Sequence, residues 1–293
     1  MKIAILKGFL ALLSLFPLKT IHFMGDALGR FLNFVPNLSK NTTKENLQLC
    51  FPNKSSNEID DLTKKSLIET AKTLFESGHS WLNFPKKGVN KLVRVEGLEN
   101  LMKAYEKKGG VILFSPHMGN IEVLIGYLAS IFKSQVTIPY TPAKISSLNN
   151  IIKASRESMG AKMVTANIGG VRVLLDALRK GELLIMASDQ VPKKKSGVIS
   201  PFFNVPALSV SLISSLGKRT GSPCFSAFCL RLPQGKGYKI IFSKKIDALN
   251  TLEVQDGVNL MNRELEKCII TSPEQYAWEY KRFKHSNFKS PYK

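Results

Sequence analysis

Acidic residues are scarce: 22 Asp and Glu face 42 Lys and Arg, which leaves a net charge of +20 over 293 residues. Cysteine is scarcer still. Cys50, Cys224, Cys229 and Cys268 are scattered, with no CxxC pair and no histidine at zinc-ligand spacing, which speaks against a structural zinc site. The chain is too long and too poor in cysteine for a disulfide scaffold, so reduced and mostly buried thiols are expected. Internal repeats and low-complexity linkers are missing, as is the G-x-S-x-G elbow that a serine acyl-enzyme would need. With 44% hydrophobic and 22% charged residues the chain can bury a core, so disorder and collagen are excluded.

The excess positive charge suits nucleic acid, an anionic membrane or an acidic partner, and composition does not choose among them. No zinc finger, RNP-type aromatic motif or helix-turn-helix accompanies it, and no nucleic-acid partner is expected. Position is more informative. Residues 3–18, IAILKGFLALLSLFPL, are apolar apart from Lys7, Gly8 and Ser14, yet the uncharged run from Gly8 to Leu18 is only eleven residues long. A bilayer span wants roughly 20. A helix lying in the membrane interface or crossing it shallowly fits best, ahead of a buried N-terminal helix or a signal peptide with Lys2 and Lys7 as its basic region. At the far end, residues 276–293, YAWEYKRFKHSNFKSPYK, interleave Lys281, Arg282, Lys284, Lys289 and Lys293 with aromatic rings. That mixture suits a lipid headgroup layer, stacking on single-stranded nucleic acid, or a solvated tail.

Between these ends the pattern is α/β. Helical spacing of Ile59, Leu62, Leu67, Ile68, Ala71, Leu74 and Phe75 predicts a helix that Asn57 would cap. VRVEGLENLMKAYEKKGGVILFSP reads as a strand, a helix stopped at Gly109 and Gly110, and a second strand. GELLIMASDQ, SPCFSAFCLRL and GYKIIFSKKI read as further strands. The expectation is a mixed, mostly parallel central sheet covered by helices. Residues 1–35 would be a membrane-anchoring helical segment, and 36–293 one α/β domain.

The chemistry concentrates where VILFSP ends and GNIEVLIGYLA begins. His117 stands at that junction, with Glu122 five residues on. On one continuous helix those side chains would point about 140° apart, so they meet only if His117 precedes the helix, as Pro116 and Gly119 suggest. A histidine whose second nitrogen is held by a carboxylate is a general base of fixed tautomer. Free N–H groups at the same junction would face a developing oxyanion. By itself, a histidine at a strand end is more often structural.

The chain resembles the bacterial lipid A biosynthesis acyltransferases, the lauroyl and myristoyl transferases, nearly end to end. The resemblance covers KENLQLCFPN (44–53), VEGLENL (95–101), GGVILFSPHMGNIE (109–122), SRESMGAKM with Arg156 and Gly160, ASDQVPKKKSGVISPFFNVPALSVSLISSLGKRTGSPC (187–224) and EQYAWEYKRFK (274–284). It implies a glycerolipid-acyltransferase-like fold. The implied reaction carries an acyl group from the phosphopantetheine thioester of acyl carrier protein (acyl-ACP as co-substrate) to a hydroxyl of a lipid A precursor. The setting would be the cytoplasmic side of a bacterial inner membrane rich in anionic lipids. No tightly bound cofactor or metal is implied. Carried over residue by residue, His117 is the general base and Glu122 its orienting partner. Arg156 would bind substrate or the thioester oxygen, or else be a surface arginine. Asp189 would orient Arg156 or cap a turn, and both readings stay open. Lys193, Lys194 and Lys195 would dock sugar phosphates or carboxylates of an anionic lipid, and Phe202, Phe203, Pro206 and Ala207 would wall the acyl tunnel. The chain departs from the usual HxGNWE box at Ile121. The rival classes are an acyl-CoA-dependent enzyme acting on another glycolipid or a lysophospholipid, and a non-catalytic basic binding protein.

Overall fold

The computed structural model describes residues 2–142, 145–284 and 291–292, with side chains from residue 5 onward. Helices lead: α1 (Lys2–Leu15), α2 (Leu18–Phe34), α3 (Leu38–Cys50) and α4 (Ser56–Gly78), the last running through a π-turn, His79–Asn83, into the short α5 (Phe84–Lys87). Strands and helices then alternate: β1 (Val93–Glu96), α6 (Leu98–Tyr105), β2 (Val111–Ser115), α7 (Ile121–Phe132), β3 (Val136–Tyr140), α8 (Ser146–Ser158), β4 (Ala161–Thr165), α9 (Ile168–Arg179) and β5 (Leu183–Ala187). A hairpin, β6 (Gly197–Phe202) and β7 (Val205–Val210), precedes α10 (Leu212–Thr220), β8 (Cys224–Arg231), β9 (Tyr238–Phe242) and α11 (Val254–Ile270).

Seven strands form one sheet in the order β1-β9-β8-β2-β5-β3-β4, parallel except for the β8–β9 pair. The mostly parallel sheet with helical cover agrees with the alternating pattern. Period-two alternation sorts the central strand: Ile112 and Phe114 enter the core shared with α4, α9, α10 and α11, while Val111 and Leu113 enter the one shared with α6 and α7. Burial on both faces explains why VILFS is uniformly apolar up to its last residue.

Two local expectations change. Ser55, not Asn57, caps α4: its hydroxyl accepts from Glu58 N, and the Glu58 carboxylate accepts from Ser55 N at 2.9 Å. This reciprocal capping box satisfies two orphan donors where Asn57 would satisfy one, so the helix starts earlier. The helix after β1 ends at Tyr105, four residues before Gly109.

The leading pair docks on α4. Gly25 and Gly29 make the contact possible, for a Cβ at Gly29 would stand 2.3 Å from Ile68 Cα. Small residues face inward on α2, and Phe23, Phe31 and Phe34 face outward, joined by Ile5, Phe9, Leu12 and Leu15 of α1. Among the described residues no single helix is long and apolar enough to cross a membrane; the two helices meet that test only together, bent by 120°.

All four cysteines are buried and free. The aromatic and basic C-terminal run is not a tail over its described part. Tyr276, Trp278 and Phe283 are core residues, and Trp278 packs on Phe51, Phe203 and Tyr276. Arg282 is buried over the Phe202 ring and donates to Leu208 O at 2.7 Å and Ser209 Oγ at 2.6 Å. Lys289 and Lys293 of that run lie outside the described residues.

Candidate active site

Parallel register builds the site. Ser115 at the end of β2 pairs with Ala187 at the end of β5, and two further residues along each chain stand His117 and Asp189. They face each other. Asp189 Oδ1 lies 2.6 Å from His117 Nδ1, and Oδ2 accepts from the His117 backbone N–H at 2.9 Å. Both oxygens of a carboxylate only 2% exposed are thus spent on one residue. The Nδ1 nitrogen is engaged, and Nε2 is left as the nitrogen that can take a proton.

The turn carrying His117 is stitched down on both sides. Gly119 N–H donates to Gln275 O at 2.8 Å, Asn120 N–H to Cys229 O at 3.2 Å, and Ala277 N–H to His117 O at 3.0 Å. Gly119 is required as glycine: its φ is +55°, and a Cβ would sit 1.9 Å from Cys229 O. Asn120 then caps α7, its Oδ1 accepting from Glu122 N at 3.1 Å and Val123 N at 3.3 Å. The N–H groups of His117, Gly119, Asn120, Glu122 and Val123, at the junction expected to face an oxyanion, are therefore already taken.

The structure corrects the pairing expected from the His117–Glu122 spacing. His117 does precede the helix, but Glu122 turns to Arg156, accepting from Nε at 3.0 Å and from Nη2 at 2.8 Å. In this fork on fork, Arg156 Nη1 makes no hydrogen bond among the described residues. The reason is positional. Glu122 in the first turn of α7 faces α8, which carries Arg156 in its last turn, whereas β5 delivers Asp189 directly beside His117. Asp189 makes no hydrogen bond to Arg156 and does not line the cavity onto which His117 opens; it lies behind the imidazole.

Electrostatics follow the geometry. Burial by itself would lower the basicity of His117, but the charge and hydrogen bond of Asp189 outweigh it, and the imidazole pKa rises above its ordinary value. Burial likewise pushes the Asp189 carboxyl up, and the His117 contacts overcome this to hold it below the usual carboxylate range. Burial raises the Arg156 guanidinium's neutral form, yet Glu122 outweighs that and keeps the cation firmly protonated.

His117, Arg156 and Ile121 open onto a cavity of about 1110 Å³ at the C-terminal ends of β3, β4 and β5. Its wall is largely aliphatic, with Ile125, Ile138, Met163, Ile185 and Val210, and Lys153, Lys193 and Lys284 add charge to the lining. Of the three loop lysines, only Lys193 lines this space; Lys194 and Lys195 are exposed in a 3₁₀ turn beside it. Phe202, Phe203, Pro206 and Ala207 do not wall the cavity. Phe202 and Phe203 pack with Tyr276 and Trp278, and Pro206 and Ala207 pair with β6, because the two-residue Phe203–Asn204 hairpin turns them towards α11 and the C-terminal segment. Sequence reading also missed Glu279, whose carboxyl is pushed up by burial and accepts from Thr70 at 3.0 Å, and whose charge acts on His117. Its place inside the basic aromatic run gave no hint of that.

A histidine made more basic by a buried carboxylate, beside an arginine and a largely apolar cavity, is an arrangement that can take up and release a proton next to apolar space. The chain belongs to a family whose description is bacterial lipid A biosynthesis acyltransferase, with residues 2–285 matched. It is similar to the lipid A biosynthesis palmitoleoyltransferase of Escherichia coli K12, 27% identical over 92% of this chain and 86% of that protein. The lauroyltransferase of the same organism is 26% identical over 94% and 89%. Its myristoyltransferase is 21% identical over 88% and 79%.

Proposed function

We propose that the protein transfers a fatty acyl chain from acyl carrier protein to a hydroxyl of a lipid A precursor, late in lipid A acylation. The observation that carries the reading is the His117–Asp189 pair opening on an aliphatic cavity. In this mechanism His117 Nε2 takes the proton of the acceptor hydroxyl as that oxygen attacks the thioester carbonyl. Arg156 Nη1 steadies the tetrahedral oxyanion, Glu122 holds the guanidinium in place, and collapse expels the carrier's thiolate, which receives the proton from His117. No covalent enzyme intermediate or tightly bound cofactor takes part. The acyl chain occupies the aliphatic wall, while Lys153, Lys193 and Lys284 meet the anionic parts of the acceptor.

The partners of this reading are acidic acyl carrier protein, drawn by the +20 charge, and anionic membrane lipids under the outward phenylalanines of α1 and α2. The enzyme would sit on the cytoplasmic side of the inner membrane. Transfer from labelled acyl-ACP to purified precursor, with acyl-CoA and a lysophospholipid as alternative substrates, tests it. Mass of the product identifies the acceptor. His117→Ala should lower the rate by about 10²- to 10⁴-fold. Transfer only from acyl-CoA or only to the lysophospholipid refutes the donor or the acceptor, and a full rate in His117→Ala refutes the base.

A further inference from the structure

Away from the cavity, a buried polar assembly joins α2, α4, β8 and the turn before α7. Its centre is Glu76, with no exposed surface. Arg231, 5% exposed, donates Nε to Glu76 Oε1 at 2.7 Å and Nη2 to Oε2 at 2.8 Å. The same Nη2 reaches Thr73 Oγ1 at 2.9 Å and the Gly119 carbonyl at 3.4 Å, and Nη1 donates to Glu69 at 2.6 Å. Asn120 Nδ2 donates to Glu76 Oε2 at 2.9 Å and to Ser80 Oγ at 3.1 Å. From α2, His22 Nε2 meets Glu76 Oε1 at 2.5 Å. Burial works against the Glu76 charge, yet Arg231 and His22 hold its pKa down at about 2.

Burying a carboxylate and a guanidinium is a poor route to stability, since well-packed apolar residues of similar volume are often as good or better. What such a pair supplies is direction. Here its hydrogen bonds end on the catalytic turn, at the Gly119 carbonyl and the Asn120 side chain. Asn120 is also the cap of α7, and so sets where Glu122 presents its carboxylate to Arg156. Both branches of the site, the His117 turn and the Glu122–Arg156 fork, are thus referred to one buried anion. That anion is itself tied to α2, whose other face carries exposed Phe23, Phe31 and Phe34.

We propose that Glu76 and Arg231, with His22 of α2, are positioning residues that set the geometry of the His117–Asn120 turn and make its activity depend on the seating of α2. The proposal rests on the acyl-transfer reading for its kinetic test only. His22→Ala is the decisive variant, because it leaves the Glu76–Arg231 pair intact. In monodisperse folded protein it should lower kcat about tenfold, the worth of one charged hydrogen bond, with both KM values within about twofold. His22→Gln, which keeps a side-chain donor, should recover most of that loss. Where they fold, Glu76→Gln and Arg231→Lys should lower kcat by about 10²-fold, as a small misplacement of reacting groups does. A purely structural role predicts a lower Tm with kcat unchanged in His22→Ala, and that result overturns the proposal. A second readout stands apart from turnover: carbethoxylation of His117 by diethyl pyrocarbonate, followed on its peptide by mass spectrometry. Its rate should shift at least about threefold in His22→Ala, the scale of a displaced turn, and an unchanged rate overturns the proposal even for a protein that transfers no acyl group. A wild type inert with every acyl donor while this rate shifts would sink the acyl-transfer reading and leave the positioning role standing.

Discussion

Replacing Asp189 by asparagine tests the proposed base most directly. The carboxylate receives two hydrogen bonds from one residue, 2.6 Å from Nδ1 and 2.9 Å from the backbone N–H of His117. An amide cannot serve both. If its oxygen keeps the backbone N–H, its NH₂ group faces Nδ1 and forces the ring proton onto Nε2, the nitrogen that must accept. If it flips, its NH₂ group faces the backbone N–H, leaving two buried donors opposed at a cost of about 1–3 kcal/mol. Either arrangement also removes the charge that raises the basicity of His117. The loss expected in kcat/KM is about 10²- to 10⁴-fold, the upper figure being that of a histidine held in the wrong tautomer. The pH profile gives the sharper test. In the wild type kcat/KM should climb with pH as His117 loses its proton, with a limb above the ordinary imidazole value of 6.5; in Asp189→Asn the remaining activity should show that limb below it, because burial alone lowers it. The same pair predicts the pH range of stability. The raised imidazole gives stabilisation that is complete below pH 6.5 and lost as pH rises through its folded value. The depressed carboxyl gives stabilisation present above pH 3.8 and lost as pH falls through its folded value. Chemical denaturation should therefore find the pair's contribution greatest between these limits. An Asp189→Asn enzyme with more than about a third of the wild-type rate and an unmoved acid limb would refute the reasoning, for tautomer control of this kind is worth far more.

Glu122→Ala, which leaves the Arg156 guanidinium without its fork, should cost on the order of 3–5 kcal/mol of stability as well as activity, while Arg156→Lys should keep the fold and lose rate; denaturation and turnover measured together separate the two. Gly119→Ala should lower Tm by several degrees and abolish transfer, because the added methyl meets Cys229 O and the φ of +55° is strained for any side chain; a wild-type melt would contradict the stitched turn. Met163→Trp, on the cavity wall, should move preference towards shorter acyl donors, each mismatched methylene being worth about 1–3 kcal/mol in kcat/KM; an unchanged chain-length profile would place the acyl group elsewhere. The double variant Phe23→Asp and Phe31→Asp, which alters only exposed positions of α2, should weaken sedimentation with anionic vesicles without changing Tm, and equal binding would remove α2 from the membrane contact.

What the sequence determined by itself is what depends on neighbours along the chain. Alternating apolar runs and helical spacings announced the mostly parallel α/β sheet, since strand and helix periods are local properties. Pro116 and Gly119 announced that His117 precedes a helix, because a proline and a positive-φ glycine interrupt regular structure wherever they stand. The close likeness of boxes along the chain announced the family. Tertiary structure decided what those residues touch. Asp189 is 72 residues from His117 and reaches it only because β2 and β5 pair in one register, a choice made by the packing of the whole sheet. The nearer Glu122 was therefore the wrong partner, and it belongs instead to Arg156 across the α7–α8 contact. The basic aromatic ending read like a surface because aromatics and cations are common to tails, headgroup belts and cores alike. Only packing shows that Trp278 and Arg282 lie inside. His22, Glu76 and Arg231 carried no motif at all, because a buried ion pair is specified by three-dimensional enclosure and leaves no spacing in the chain to read.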